Sequence, residues 1–500
     1  MKNVSGAENM NHKLISIVLI LSLFTNISIF IGIHSWDSIY HIGQTKIIYN
    51  EGTTSFYSPI TLNSGGYNES PLLLYFTACF ARVFHLDIDS VIRYIPIFFS
   101  FTTLIALYYF FRLFSESHFF IYIGLLTYSL ITIPTYYIPS HLLFFTIIAF
   151  YISFTAQTKI QYFLIGTCSG LSFLIYAPYG VILPPVIFAI LFYRLYKTHM
   201  KFLKAITING VVYLLLISIT LIPTYKNNEL FVPPSEKITL NIKEEISITT
   251  PSLGDSYFRE IKLPNIFFFY RGCVGLFLLS LFGISKEKKR ICLIVPILVL
   301  LIMGNIKYFC DKPFSLLPIF LIPLAIKGIY HFKYKRLLLI MFIFYLLLFS
   351  SKRIYLAKKY DANIEDYRKV SEAISNNGII LTDPETRYYL TYYLGTTQCY
   401  PLNLPPIKNK GKIKRDILRV LIGEDISLPN KEEIKWIIIP KNPQYTNKLT
   451  SNELKNIDLD IDTFKKKINS VDWNQKGFTL IYEDEYVSLY ERGDFDIPKN

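Results

Sequence analysis

Twelve stretches of mostly apolar residues, many approaching or exceeding the ~18–20 residues that cross a bilayer as a helix, constrain this chain more than any other feature. The first covers about 14–34. Others lie near 71–84, 92–111, 119–134, 138–155, 160–176, 179–193, 204–223, 266–284, 291–304, 313–330 and 336–350. With 52% hydrophobic residues, 16% aromatic residues and a mean hydropathy of +0.35, the chain is too apolar for a soluble protein of 500 residues. It reads as a multi-pass α-helical membrane protein. The first run follows Lys2 and Lys13 and has no small-residue cleavage site after it, which predicts a retained anchor rather than a signal peptide.

The net charge of +14 then has a simple reading. Basic loops on the cytoplasmic side of a membrane account for it without a nucleic-acid partner. The strongest such loops are "RLYKTHMKFLK" at 194–204, "KEKKR" at 286–290 and "HFKYKR" at 331–336. If all twelve runs cross, these loops fall on the opposite side from the lysines of the amino terminus. If one early run does not cross, all share a side. The run "PLLLYFTACFARVF" at 71–84 is short, opens on proline and carries Arg82, so it is expected to lie along the membrane surface. About eleven spans remain. Residues 1–350 then form the membrane domain, with 35–91 as a large outer loop of interfacial helices.

From 351 onward the composition changes to charged material. "DYRKVSEAISNNGIILTDPETRYYLTYYLG" reads as helix–strand–helix, while "KWIIIP" and "FTLIYEDEYVSLYER" read as strands. An extracytoplasmic α/β domain over 351–500 is expected. It carries no catalytic triad, metal spacing or phosphate loop, which predicts a supporting role. The six cysteines show no CxxC pair, and no metal site is expected from them.

Ionisable residues crowd the ends that this topology puts outside. Asp37, His34 and His41 follow the first span, and Glu69 precedes the surface helix. His141 sits at the mouth of the second outer loop. Arg259 and Lys262 close the third, and Lys307 and Lys312 occupy the fourth. Charge near bilayer depth is expensive and usually faces a cavity or a partner. A carboxylate with imidazoles suits proton transfer, and basic groups suit a phosphate. Each residue taken singly also fits an interfacial anchor. Asp37 additionally fits the N-cap of a short helix over 38–50. Together they describe an outer site for an anionic lipid and a hydroxyl or amine acceptor.

In order and spacing the chain resembles the GT-C glycosyltransferases, which move a sugar from a polyprenyl phosphate carrier outside the membrane. The resemblance rests on "WDSIYHIGQTKIIYNEG" after the first span, then "NESPLLLYF", then "SVIRYIP" opening the next span. "IPTYYIPSHLLFFT" and the proline-rich "KPFSLLPIFLIPLAIKG" follow. It covers most of 14–350. It implies Asp37 as the catalytic acidic residue, a base toward the acceptor, and His41, Glu69, His141, Arg259, Lys262, Lys307 and Lys312 are expected toward the substrates. It implies a polyprenyl phosphate sugar as donor and a lipid, glycan or protein as acceptor; no resident cofactor is expected, and whether a divalent metal assists is left open. Departures exist. Ser38 stands where related aminoarabinose and mannosyl transferases often have a second acid, and Ser140-His141 where they have an Asp. Glu69-Ser70-Pro71 lacks the lysine of a Glu-Lys-Pro. A divergent member is expected. A polysaccharide polymerase or ligase, a transporter or flippase of lipid-linked sugars, and a scaffold remain as alternatives.

Overall fold

The computed structural model describes residues 2–26, 36–51, 72–132, 143–175, 177–195, 198–226, 274–284, 288–304 and 312–359. It also describes 367–374, 378–383, 417–424, 434–441 and 459–493, with a few isolated positions between them. The first helices in chain order are α1 (Lys2–Thr25), α2 (Trp36–Glu51), α3 (Leu72–Val83), α4 (Ile88–Arg112) and α5 (His118–Thr132). Next come α6 (Leu143–Thr155), α7 (Lys159–Ile175), α8 (Ala177–Leu195) and α9 (His199–Lys226). They are followed by α10 (Val274–Gly283), α11 (Lys288–Gly304), α12 (Lys312–His331) and α13 (Lys335–Lys359). The chain divides into two compact units. One comprises Met1–His34, Ile92–Pro223 and Ile248–Lys359; the other comprises Ser35–Val91, Thr224–Ser247 and Tyr360–Asn500.

The first unit is helical and apolar. Among the described residues, Ile88–Arg112, His199–Ile219 and Pro313–His331 are long and apolar enough to cross a membrane, and shorter apolar helices accompany them. Lipid tails give no hydrophobic drive for helices to associate, so close approach and polar links must do it. Both are present. Gly283 on α10 and Gly328 on α12 meet so closely that a Cβ on either would collide with a carbonyl of the other helix, Leu324 O or Leu279 O. In "GTCSG" of α7, a Cβ on Gly166 would collide with Asn209 O, and one on Gly170 with Leu216. Asn26 Nδ2 donates to Ser100 Oγ at 3.0 Å, and Ser350 Oγ donates to Leu130 O at 2.6 Å. Several other hydroxyls turn back on their own helix, as Ser153 does to Ala149 O. Rings of Phe110 and Phe150 pack on Phe320 at 5.9 and 4.9 Å in the interior. Arg194 of the first basic loop donates to the carbonyls of Ser153 and Ala156, which the end of α6 leaves open.

The second unit contains a four-stranded sheet formed by β1 (Ile379–Leu381), β2 (Ile434–Pro440), β3 (Phe478–Glu483) and β4 (Val487–Arg492), with strand order β1-β2-β4-β3. β1 runs parallel to β2; the other two pairs are antiparallel. Side chains alternate across a strand. In β2, Ile437 and Ile439 accordingly enter one core cluster with Phe464, Ile468 and Trp473, while Trp436 and Ile438 enter another with Val370 and Leu489. That double coverage explains the near-continuous apolar run of "KWIIIP". Helix α14 (Arg368–Ala373) precedes β1. Helix α15 (Ile461–Ser470) starts at Asp460, whose carboxylate accepts from the Thr463 amide at 2.7 Å. Gly477 turns the chain into β3 at a φ of 84°, which favours glycine. The helix–strand order read from the sequence in this tail is present. The last long helix, however, continues past the apolar run at 336–350 and ends at Lys359.

Candidate functional site

The candidate acid stands on α2. The alternative of Asp37 as the cap of a helix over 38–50 is not met, since the helix spans Trp36–Glu51 and Asp37 is its second residue. His41 lies one turn further along the same helix. Residues 42–48 are buried, Lys46 included, so α2 is anchored by its second half.

Three contacts fix that anchor. Lys46 Nζ pairs with Asp89 at 2.6 Å, tying α2 to the first turn of α4. Arg82 at the end of α3 donates to Tyr49 O and lies 5.6 Å from the Tyr49 ring centroid. Asp87 starts α4 by accepting from the Ser90 amide at 2.8 Å, and these hydrogen bonds to Ser90 hold its pKa below the usual carboxylate range. Helix α3 turns Leu73, Leu74, Thr77, Ala78 and Ala81 inward and Phe76 and Phe80 outward, and with Phe84 just past its end these form a ladder with ring contacts at 6.1 and 4.6 Å. Its twelve residues span about 18 Å, well short of a ~30 Å hydrocarbon core. Asp37 and Lys46 are nine residues apart on α2, about 14 Å along its axis.

In the helical unit, polar groups collect near the end of α5 and the starts of α8 and α12. The Tyr179 hydroxyl and Ser315 Oγ are 3.0 Å apart, and Tyr128 neighbours Tyr179. Tyr128 and Tyr179 are buried. Lys312 is the first residue of α12, and Phe314 packs so closely on Gly304 that a Cβ there would enter its ring. The sequence reading did not single out these hydroxyls. They sit singly inside apolar runs, and only their convergence from three helices marks them.

Of the residues expected at the site, Asp37 and His41 share α2, and Lys312 opens α12. Glu69, His141, Arg259, Lys262 and Lys307 lie outside the described residues, as does His34.

No family model matches the sequence, and no curated protein matches it. Solved structures do match its fold. The oligosaccharyltransferase of Archaeoglobus fulgidus in the apo form superimposes with a TM-score of 0.55 at 11% identity, over 98% of this chain and 75% of that one. The same organism's oligosaccharyltransferase AglB, in complex with an inhibitory peptide and a dolichol-phosphate, gives 0.55 at 11%, over 99% and 75%. ArnT from Cupriavidus metallidurans, bound to undecaprenyl phosphate, gives 0.51 at 10%, over 97% of this chain and 98% of that one. These neighbours are GT-C glycosyltransferases, and the chain has the GT-C fold. It is a mostly helical membrane protein with a sheet in its carboxy-terminal region, and its sequence is far from those of its structural neighbours.

Proposed function

We propose that this chain is an integral membrane glycosyltransferase, of the hexosyl- or pentosyltransferase class, acting on the extracytoplasmic face. It takes its sugar from a polyprenyl phosphate carrier and gives it to a lipid, glycan or protein acceptor. One observation carries the reading: the fold matches ArnT, solved with undecaprenyl phosphate, over nearly the full length of both chains. An acidic residue in the first turn of the helix after the first anchor supports it.

In this reading about eleven helices span. The amino terminus and the basic loops at 194–204, 286–290 and 331–336 are cytoplasmic, and 35–91 and 351–500 are outside. Asp37 takes the proton of the acceptor as it attacks the anomeric carbon; a positioned base of this kind contributes on the order of 10²–10⁴-fold. The sugar–phosphate bond breaks, and Arg259, Lys262, Lys307 and Lys312 stabilise the charge left on the lipid phosphate. His41, Glu69 and His141 complete the substrate contacts. The phosphate is itself the leaving group, so the reaction needs no resident cofactor. The sheet domain supports acceptor use.

The test supplies purified protein with a panel of radiolabelled polyprenyl phosphate sugars and membrane acceptors. Consumption of one donor with release of polyprenyl phosphate supports transfer. A flippase would move donors across vesicles with the sugar–phosphate bond intact, and that result would end the proposal.

A further inference from the structure

Helices α12 and α13 meet in a tight turn at residues 332–334, at the end of a helix long and apolar enough to cross a membrane. The turn is strongly basic, and the sequence from 313 to 359 contains no Asp or Glu. Lys327, Lys333, Lys335 and Arg336 have no carboxylate partner among the described residues, and all but the half-buried Lys327 are exposed. Aromatic rings hold the lysines instead. Lys335 Nζ lies 4.1 Å and Lys327 Nζ 5.5 Å from the centroid of the same ring, Tyr330, and Lys333 Nζ lies 5.6 Å from that of Tyr334. Two ammonium groups on one ring are within about one Debye length, roughly 10 Å at 0.1 M salt, so their potentials add. Phe120 meets the Tyr330 ring edge-on at 5.4 Å, and in the turn itself Phe282 meets Phe332 at 5.1 Å.

An apolar strip leads away from this cluster. Leu337, Ile340, Met341, Phe344 and Leu348 follow helical spacing on α13, and each is more than half exposed. A cationic, ring-lined head beside an apolar strip matches a ligand with an anionic head and hydrocarbon tails. A free anion would leave the strip unused, and a purely apolar ligand would leave the cations unpaired. Topology alone asks only for basic residues in this loop, not for two of them over one braced tyrosine.

We propose that the turn between α12 and α13 binds the phosphate headgroup of an anionic phospholipid, with its acyl chains along the Leu337–Leu348 strip. The site is independent of the transferase reading and lies at the opposite end of α12 from Lys312. Occupancy would fix the tilt of α12 and α13 at the membrane surface and make the protein sensitive to lipid composition.

The full chain, purified in neutral detergent, is titrated with phosphatidylglycerol and with phosphatidylcholine, and bound lipid is read by native mass spectrometry. Phosphatidylglycerol should be retained in preference. Each lysine near an anionic lipid surface is worth about fivefold, so the Lys327→Gln/Lys335→Gln pair should bind some 25-fold more weakly. Ile340→Ser/Phe344→Ser should weaken binding of the full lipid but not of glycerol phosphate. Lys201→Gln/Lys204→Gln, in the basic start of α9, should change nothing. Equal retention of both lipids by the native chain overturns the proposal, and does so even if a variant fails to fold. Equal loss in both lysine pairs also overturns it, as does competition by glycerol phosphate as strong as by the whole lipid.

Discussion

The helical unit and the sheet domain are held together by different means. In the sheet domain, most large apolar side chains are inside and most charges, the buried Asp383 apart, are outside. Trp473, Phe464 and Ile468 fill one side of the sheet and Trp436, Val370 and Leu489 the other, while Lys465, Lys466 and Lys467 line the outer side of α15. In the helical unit many of the largest apolar side chains face outward, such as Leu214, Leu215, Ile302 and Phe344. Its interior is distinguished by glycines and by scattered hydroxyl and amide links. Water drives the first arrangement through apolar burial. Lipid cannot drive the second that way, and close backbone approach takes its place.

The sharpest break between the regions should come from Trp473→Ala. The indole is fully buried against Phe478 at 5.9 Å, and its removal should cost about 3–5 kcal/mol, enough to unfold a small domain. The helical unit should keep its thermal transition and its donor binding, while acceptor use falls. Loss of both transitions together would show that the two regions fold as one.

Chemistry should separate from stability at Asp37. The Asp37→Asn variant keeps size and polarity but cannot accept a proton, and turnover should fall about a hundredfold with donor binding and both melting transitions unchanged. Near-normal turnover would leave Asp37 as a helix-start residue.

The close crossing of α10 and α12 offers the reverse case. Gly328→Leu should destabilise the helical unit by about 1–3 kcal/mol or more and leave the sheet domain intact. Gly210→Ala, where an added Cβ meets nothing within 4 Å, should be close to neutral. A smaller effect is expected from Asn26→Leu, which removes the link to Ser100. Polar contacts between membrane helices average about 0.6 kcal/mol, so the shift in melting in detergent should be slight.

Acid should act weakly on the sheet domain. Lys441 bonds Glu483 and holds its carboxyl below its ordinary value of 4.5. Burial by itself would raise Asp484, but the amides of Val487 and Tyr486 and the Tyr482 hydroxyl outweigh it and keep it below 3.8. Groups with depressed folded-state pKa values contribute stability above their unfolded values, and that contribution is lost as pH falls through the folded ones. Melting of the sheet domain should therefore drop below about pH 4. The hydroxyl, amide and glycine contacts of the helical unit do not titrate there, and its transition should hold.

Much of this was legible in the chain itself. Apolar runs of bilayer length determine a helical membrane protein, because a backbone in lipid must satisfy its own hydrogen bonds. The alternation in "FTLIYEDEYVSLYER" and the dense apolar run of "KWIIIP" mark strands, since side chains of a strand alternate between two faces. The charge change after 350 marks the tail, and Asp37 is visible as an acid following an anchor. Tertiary structure decided the rest. That Gly283 faces Gly328 and that Tyr179 meets Ser315 cannot be read locally, since each pair unites residues far apart in the chain; "HFKYKR" is legible as a basic loop, but the sharing of Tyr330 by Lys327 and Lys335 is not. Even the start of α2 moved two residues, because first-turn residues keep little periodicity of their own and the helix is held from its buried second half. Local pattern records how a segment meets its solvent; which segments meet one another depends on the packing of the whole chain.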